Sequence, residues 1–222
     1  MRQARQHARS GSQTRRQQEQ RRRLALEAAR LMSESGIRDY QLAKRKAAER
    51  LGVRDDKALP RNSEIEDALR EYQRLFLADS QPRLLQERRE AAEQAMAFFE
   101  RFEPRLVGAV LEGTADAHSA VCLHLFSDDP ESVPLFLREQ RIPYEQRSRQ
   151  LRLDRKRSTE AAVYVFSAAG TPIDITVLPR DALRQAPLDR VAERPMQRAS
   201  ISGLRDLLLA GRMPACPQGG GA

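Results

Sequence analysis

The chain has 222 residues, 40 % of them hydrophobic, and a formal net charge of +8, long and apolar enough for one domain or two small ones with a real core. It has no run of about 18 apolar residues and no apolar stretch behind its arginine-rich start, so neither a membrane partner nor a secretory signal is expected. Two cysteines, Cys122 and Cys216, give neither a disulfide framework nor a paired zinc spacing, and a reducing, cytoplasmic compartment is the expectation.

The charge is concentrated at one end. Residues 1–23 hold eight arginines against the single Glu19, a balance of +7, and the remaining 31 basic and 30 acidic residues nearly cancel. Such a segment, densest at Arg15, Arg16, Arg21, Arg22 and Arg23, neutralises about four to six phosphates in a salt-dependent, sequence-independent way, which makes RNA or DNA a candidate partner. A solvated tail explains the same composition. With no aliphatic residue beyond alanine and Met1, residues 1–23 are expected to be a flexible basic arm whose second half can join a helix. A second basic stretch, "RQLRLDRKR" from Arg149 to Arg157, lacks interleaved aromatics, so base stacking is not indicated.

From Leu24 the residues Leu24, Ala28, Leu31 and Met32 recur at helical spacing, and Gly36 supplies a stop. Asp39 caps a second helix lined by Tyr40, Ala43, Ala47 and Leu51 and closed by Gly52. "NSEIEDALREYQRLF" predicts a third, with Ser63 and Glu66 as a capping box and Ile65, Leu69, Tyr72 and Phe76 on one face. A fourth runs from about Pro82 to Phe102, with Leu85, Arg88, Ala92, Ala95, Phe99 and Phe102 near one side, and Pro104 ends it. Residues 24–103 thus read as a helical region.

Beyond Pro104 the periodicity changes. "RLVGAVL" and "AVCLHLF" have strand length and composition. Asp129-Pro130 opens a helix through about Gln140, with Val133, Phe136 and Leu137 inward, followed by the extended "IPYEQRSRQLRL". "AAVYVF" and "PIDITVL" are two further strands joined by the hairpin turn "SAAGTP". Ser200 starts a last helix to about Ala210 that buries Ile201, Leu204, Leu207 and Leu208. Residues 104–210 are expected to form a mixed sheet with flanking helices, an α+β domain, and 211–222 a disordered tail.

"GAVLEGTADAHSAVCLHLF" followed by "GTPIDITVLP" resembles the nucleotidyltransferase fold of the polymerase-β type. In that family a strand ends in Gly-Ser or Gly-Thr, a second strand presents two carboxylates at alternate positions, and a later strand adds a third. Alternate strand residues share a face, so such carboxylates hold two Mg²⁺ ions against a triphosphate. The resemblance makes Gly113-Thr114 the turn, Ser119 the residue before the second strand and Asp174 the acid of the later strand. The metal positions of the second strand then fall on Ala120 and Cys122, or on Cys122 and His124. Thiol and imidazole are poor Mg²⁺ ligands, and Asp174 alone leaves the site about two ligands short.

The stretches "RDYQLAKRKAAERLG", "FEPRLVGAVLEGTA", "HSAVCLHLF" and "QAPLDRVAERPMQRA" are similar to those of a family of short proteobacterial proteins, some labelled UDP-N-acetylmuramate–alanine ligase. That activity needs a glycine-rich loop with Gly-Lys-Ser/Thr, which the sequence lacks. His118, Cys122 and His124 suggest zinc only if the loop histidine swings onto the strand, and a lone strand cysteine is more often a small buried apolar group. The first helices have the look of a helix-turn-helix, but the link "GVRDDKALPR" is too long and the third helix is acidic at Glu64, Glu66 and Asp67.

Taken together, these features imply a nucleotide- or nucleic-acid-binding protein on a degenerate nucleotidyltransferase-like domain. Gly113, Thr114 and Ser119 are its candidate phosphate contacts, and Asp174 is its candidate metal ligand. Two alternatives stand beside it. One is an active Mg²⁺ enzyme in which Glu112 or Asp116 joins Asp174; the other is a module whose helical half docks a protein partner.

Overall fold

In the computed structural model, residues 2–37, 39–55, 58–77, 80–154, 157–189 and 194–212 are described, those at 2–14 and 212 by their backbone only. Most of the tail expected at 211–222, and Cys216 with it, lie outside the described residues. The architecture is α+β with an N-terminal helical region. Two compact units divide the chain, one from 1–79 with 190–192, the other from 80–189 with 193–222. Among the described residues no helix is long and apolar enough to cross a membrane.

The first unit holds α1 (Arg2–Ser35), α2 (Tyr40–Leu51) and α3 (Asn62–Phe76). Leu24, Ala25, Ala28, Ala29, Leu31 and Met32 of α1 meet Ala43 and Ala47 of α2 and Ile65, Ala68 and Leu69 of α3 in one buried cluster. The many alanines let these helices approach closely. The caps of α2 form as expected: Asp39 Oδ1 accepts from the Leu42 N–H at 2.9 Å, and Gly52 closes the helix at φ 65°.

The backbone of the basic segment is helical, since α1 runs from Arg2 to Ser35. Arginine, glutamine and glutamate are good helix formers, and once Leu24 to Met32 are packed, each added residue gains a backbone hydrogen bond without a new nucleation cost. Glu19 and Arg23, one turn apart at 3.3 Å, add a small increment. The cap of α3 shifts: Arg61 is the capping position, and its N–H donates to Glu64 Oε2 at 2.6 Å. Glu66 instead pairs with Arg70.

The second unit begins with α4 (Gln81–Phe98), continued by a 3₁₀ turn at Glu100–Phe102. The compact unit of α1–α3 thus ends at 79, and α4, though within the helical stretch read from the sequence, belongs to the unit that holds the sheet. Ala92 and Met96 of α4, with Phe99 and Phe102 just beyond it, belong to the core of the sheet and not to that of α1–α3. The remaining elements are β1 (Arg105–Val107), α5 (Ala109–Glu112), β2 (Val121–Phe126), α6 (Ser132–Glu139), β3 (Glu145–Arg152), β4 (Ser158–Ala168), β5 (Thr171–Leu178) and α7 (Ile201–Arg212). The strands form one mixed sheet in the order β1-β2-β5-β4-β3. Its β2–β5 pair is parallel and the others are antiparallel.

Strand alternation divides this sheet into two faces. Leu106, Val121, Leu123, Leu125, Tyr164, Phe166, Ile173 and Ile175 form a core with Met96, Phe99, Val133, Leu137, Leu204 and Leu208 from the helices. The opposite face carries Cys122, His124, Asp174 and Thr176. One end of that face is covered by a smaller cluster of Phe126, Leu151, Ala161 and Leu178 with Ala182, from a 3₁₀ turn at Arg180–Leu183.

The β4–β5 hairpin forms on a two-residue turn, with Ala168 paired to Thr171. Ala169 (φ 48°) and Gly170 (φ 79°) are both left-handed, as a turn of this twist requires. Ala169 carries a steric penalty there that asparagine tolerates better. Ala169→Asn is expected to stabilise the sheet unit by about 0.5–1 kcal/mol, read as a rise in urea midpoint without a change in slope.

Candidate functional site

β2 and β5 set the centre of this second face. Their register places Cys122 beside Asp174 and His124 beside Thr176. β1 adds Arg105 next to His124, and β4 adds Val165 and Val163 on the other side of Asp174 and Thr176. Arg149 enters from β3, reaching past β4. Its Nη2 donates to Asp174 Oδ2 at 2.7 Å and its Nη1 to Thr176 Oγ1 at 3.0 Å. Thr176 is 1 % exposed, whereas a third of the Arg149 side chain meets solvent and a sixth of Asp174 does.

His124 lies under this arrangement, 2 % exposed. Burial first, then the positive charges of Arg198 and Arg149, push its imidazole down to about 4, so the ring is neutral at physiological pH. Its Nδ1 is buried without a hydrogen-bond partner, as is the second oxygen of Asp174. Arg198 comes from the segment after the 3₁₀ turn. It is pinned by bonds to the carbonyls of Ala182 and Leu183 at 2.7 and 2.9 Å and lies 5.6 Å from the centre of the Phe126 ring. Burial and the neighbouring charge of Arg105 lower its affinity for its proton. Arg105 bonds to the carbonyls of Glu103 and Pro104. Arg147, one rung from Arg149, is held by both oxygens of Glu145 at 2.7 Å each.

The remaining sequence candidates lie elsewhere. Strand β1 ends at Val107 and the chain turns at Gly108, not at Gly113-Thr114. Gly108 adopts φ 71°, ψ −155°, a conformation open in practice only to glycine, and a Cβ there would lie 3.9 Å from the Cys122 Cβ. Gly108-Ala109 is thus the strand-to-helix turn beside the Cys122–Asp174 rung, and it carries no hydroxyl. Gly113 instead closes α5 in the left-handed conformation. Its carbonyl accepts from Gln81 Nε2 at 2.8 Å, and those of Val110 and Ala117 accept from Arg89 and Arg88. Thr114 is buried. Ser119, also buried, has its Oγ 2.8 Å from the Asp116 N–H and 3.1 Å from Asp116 Oδ1. Gly113, Thr114 and Ser119 therefore shape a loop clamped by α4.

The donor set does not fit paired Mg²⁺. Asp174 has a guanidinium on one oxygen and a cysteine as its strand neighbour. Among the described residues no three His, Cys, Asp or Glu side chains converge to hold a metal ion, so neither Glu112 and Asp116 with Asp174 nor His118 with Cys122 and His124 forms such a group.

On α1, Arg15, Arg21 and Arg22 line a groove with Glu64, Asp67 and Glu71 of α3. Arg21 lies 3.7 Å from Glu64 and donates to the Leu59 carbonyl. Arg16 and Arg23 line the other side of α1 with Glu19. Acidic side chains thus neutralise part of the basic helix.

The residue that sequence reading missed is Arg149, counted only as part of a basic stretch, together with Arg105 and Arg198. A strand register was the signal needed, since these three come from β3, β1 and the segment before α7. Comparison of the chain with protein-family models, with curated proteins and with solved structures finds no match to any of them.

Proposed function

We propose that the chain binds a nucleotide or a similar phosphorylated ligand on the sheet face that carries His124 and Asp174, without metal-dependent transfer chemistry. The observation that carries this reading is the gathering of Arg105, Arg149 and Arg198 around the neutral His124, with Asp174 as the acid bonded to Arg149. Guanidinium groups fixed in place and partly exposed suit phosphate oxygens, which they bind in a fork. The order of elements adds support. A strand, a glycine turn, a short helix and a second strand precede a strand that sets Asp174 beside Cys122, an order that resembles a nucleotidyltransferase-like domain with its second-strand acids replaced.

An RNA or DNA partner for α1 is supported less, because the arginines of that helix already face Glu19, Glu64, Asp67 and Glu71. The test is calorimetric titration with ATP, GTP, CTP and UTP at low salt. At least one is expected to bind, and Arg149→Gln is expected to weaken it by about tenfold to a hundredfold, the loss of one charge-assisted contact. Labelled nucleoside triphosphates with Mg²⁺ or Mn²⁺ are expected to give no Asp174-dependent transfer. Absence of binding, or transfer that Asp174→Ala abolishes, overturns the proposal.

A further inference from the structure

We infer that Asp174 is a built-in competitor for the ligand's phosphate: its carboxylate occupies Arg149 in the unliganded protein, and a phosphate group binds by taking its place. This rests on the phosphate-binding reading of the same face.

The geometry separates the two jobs of Arg149. Nη1 is tied to Thr176, a neutral and fully buried hydroxyl that holds the guanidinium in place whatever else happens. Nη2 is tied to Asp174, whose Oδ2 sits where an anionic oxygen of a ligand would sit. Beneath them the second Asp174 oxygen and His124 Nδ1 are buried without partners. A carboxylate serving as ligand anchor would use both oxygens. This one spends one oxygen on a guanidinium and leaves the other unmatched, so a phosphate that takes Arg149 strips the carboxylate of its bonded partner, a cost that weakens phosphate binding and that an uncharged side chain largely removes. An incoming phosphate adds negative charge beside Asp174, and the two cannot share one guanidinium edge without repulsion. Arg147 repeats the device in solvent, with Glu145 accepting from its Nε and Nη2. The ligand class that follows is a phosphate-bearing molecule free of metal, since a magnesium complex presents fewer unshielded oxygens to Arg149.

The experiment measures ATP and inorganic pyrophosphate binding in EDTA for the full chain and for Asp174→Asn. The asparagine keeps the size and the strand, and Thr176 keeps Arg149 in place. Binding is expected to tighten by about tenfold, or ~1.4 kcal/mol. Equal or weaker binding by a folded Asp174→Asn overturns the inference while leaving the phosphate site standing. If neither protein binds either probe, the phosphate-binding reading itself fails. Where the variant does not fold, the Mg²⁺ dependence of ATP binding by the wild-type chain decides. Adding Mg²⁺ is expected to weaken ATP binding or leave it unchanged, and tightening by Mg²⁺ assigns Asp174 to a metal and overturns the inference.

Discussion

Between pH 6.5 and pH 4 the sheet unit is expected to lose up to about 3 kcal/mol of stability through one side chain, His124, and a His124→Leu variant to lose much less. The sign follows from the direction of the shift. In the unfolded chain the imidazole takes up a proton as the pH falls through its ordinary value of 6.5, whereas in the folded sheet it stays neutral until about 4. Over that window the unfolded state binds more protons, so acid favours unfolding. Above 6.5 the contribution is fully present, and below 4 there is no further loss from this group. Carboxylates such as Glu145, held down by its bond to Arg147, lose their own contribution at lower pH. The unpartnered Nδ1 means that this atom gives up no hydrogen bond in the leucine variant. Urea unfolding of both proteins at pH 7, 5.5 and 4.5 checks the point, and parallel pH dependences would refute it.

What the sequence could reveal of this fold was set by the range of the signal. The α2 caps, the β4–β5 hairpin and Asp174 on a strand all rest on residues within a few positions of one another, and each was legible. The extent of α1 was not, because residues 15–23 have no apolar stripe and their helicity is inherited from the packed turns that follow. "VGAVL" reads as a strand because a short apolar run looks the same in a strand or a helical turn. Only the positive φ of Gly108 reveals the break. The core of the candidate site was the least legible part. Arg149 and Asp174 are 25 residues apart and lie on strands separated by a third, so no local pattern links them. The loop at Gly113, Thr114 and Ser119 misled for the opposite reason. It has the composition of a phosphate loop, yet its polar groups are used by α4 and by one another.

The placement of α4 leads to the second large effect: a chain beginning at Ser80 is expected to fold its sheet unit, and one beginning at Pro104 is not. An amphipathic stripe shows that a helix has a partner but not which one, and here the partner is the sheet. Met96 and Phe99 are 0 and 1 % exposed in the core with Leu106, Val121, Leu123 and Ile175. Truncating a single buried Met or Phe to alanine costs about 2–5 kcal/mol. Removing both with Ala92 and Phe102 also uncovers the apolar face beneath, against a net stability of about 5–15 kcal/mol for a domain. Deleting residues 1–79 removes none of that core, since the cluster around Leu24 and Ile65 shares no residue with it. Circular dichroism and urea melts of the two fragments discriminate the outcomes. A cooperative transition for 80–222 and its absence for 104–222 place α4 in the sheet unit, whereas two equally cooperative melts would make that helix dispensable.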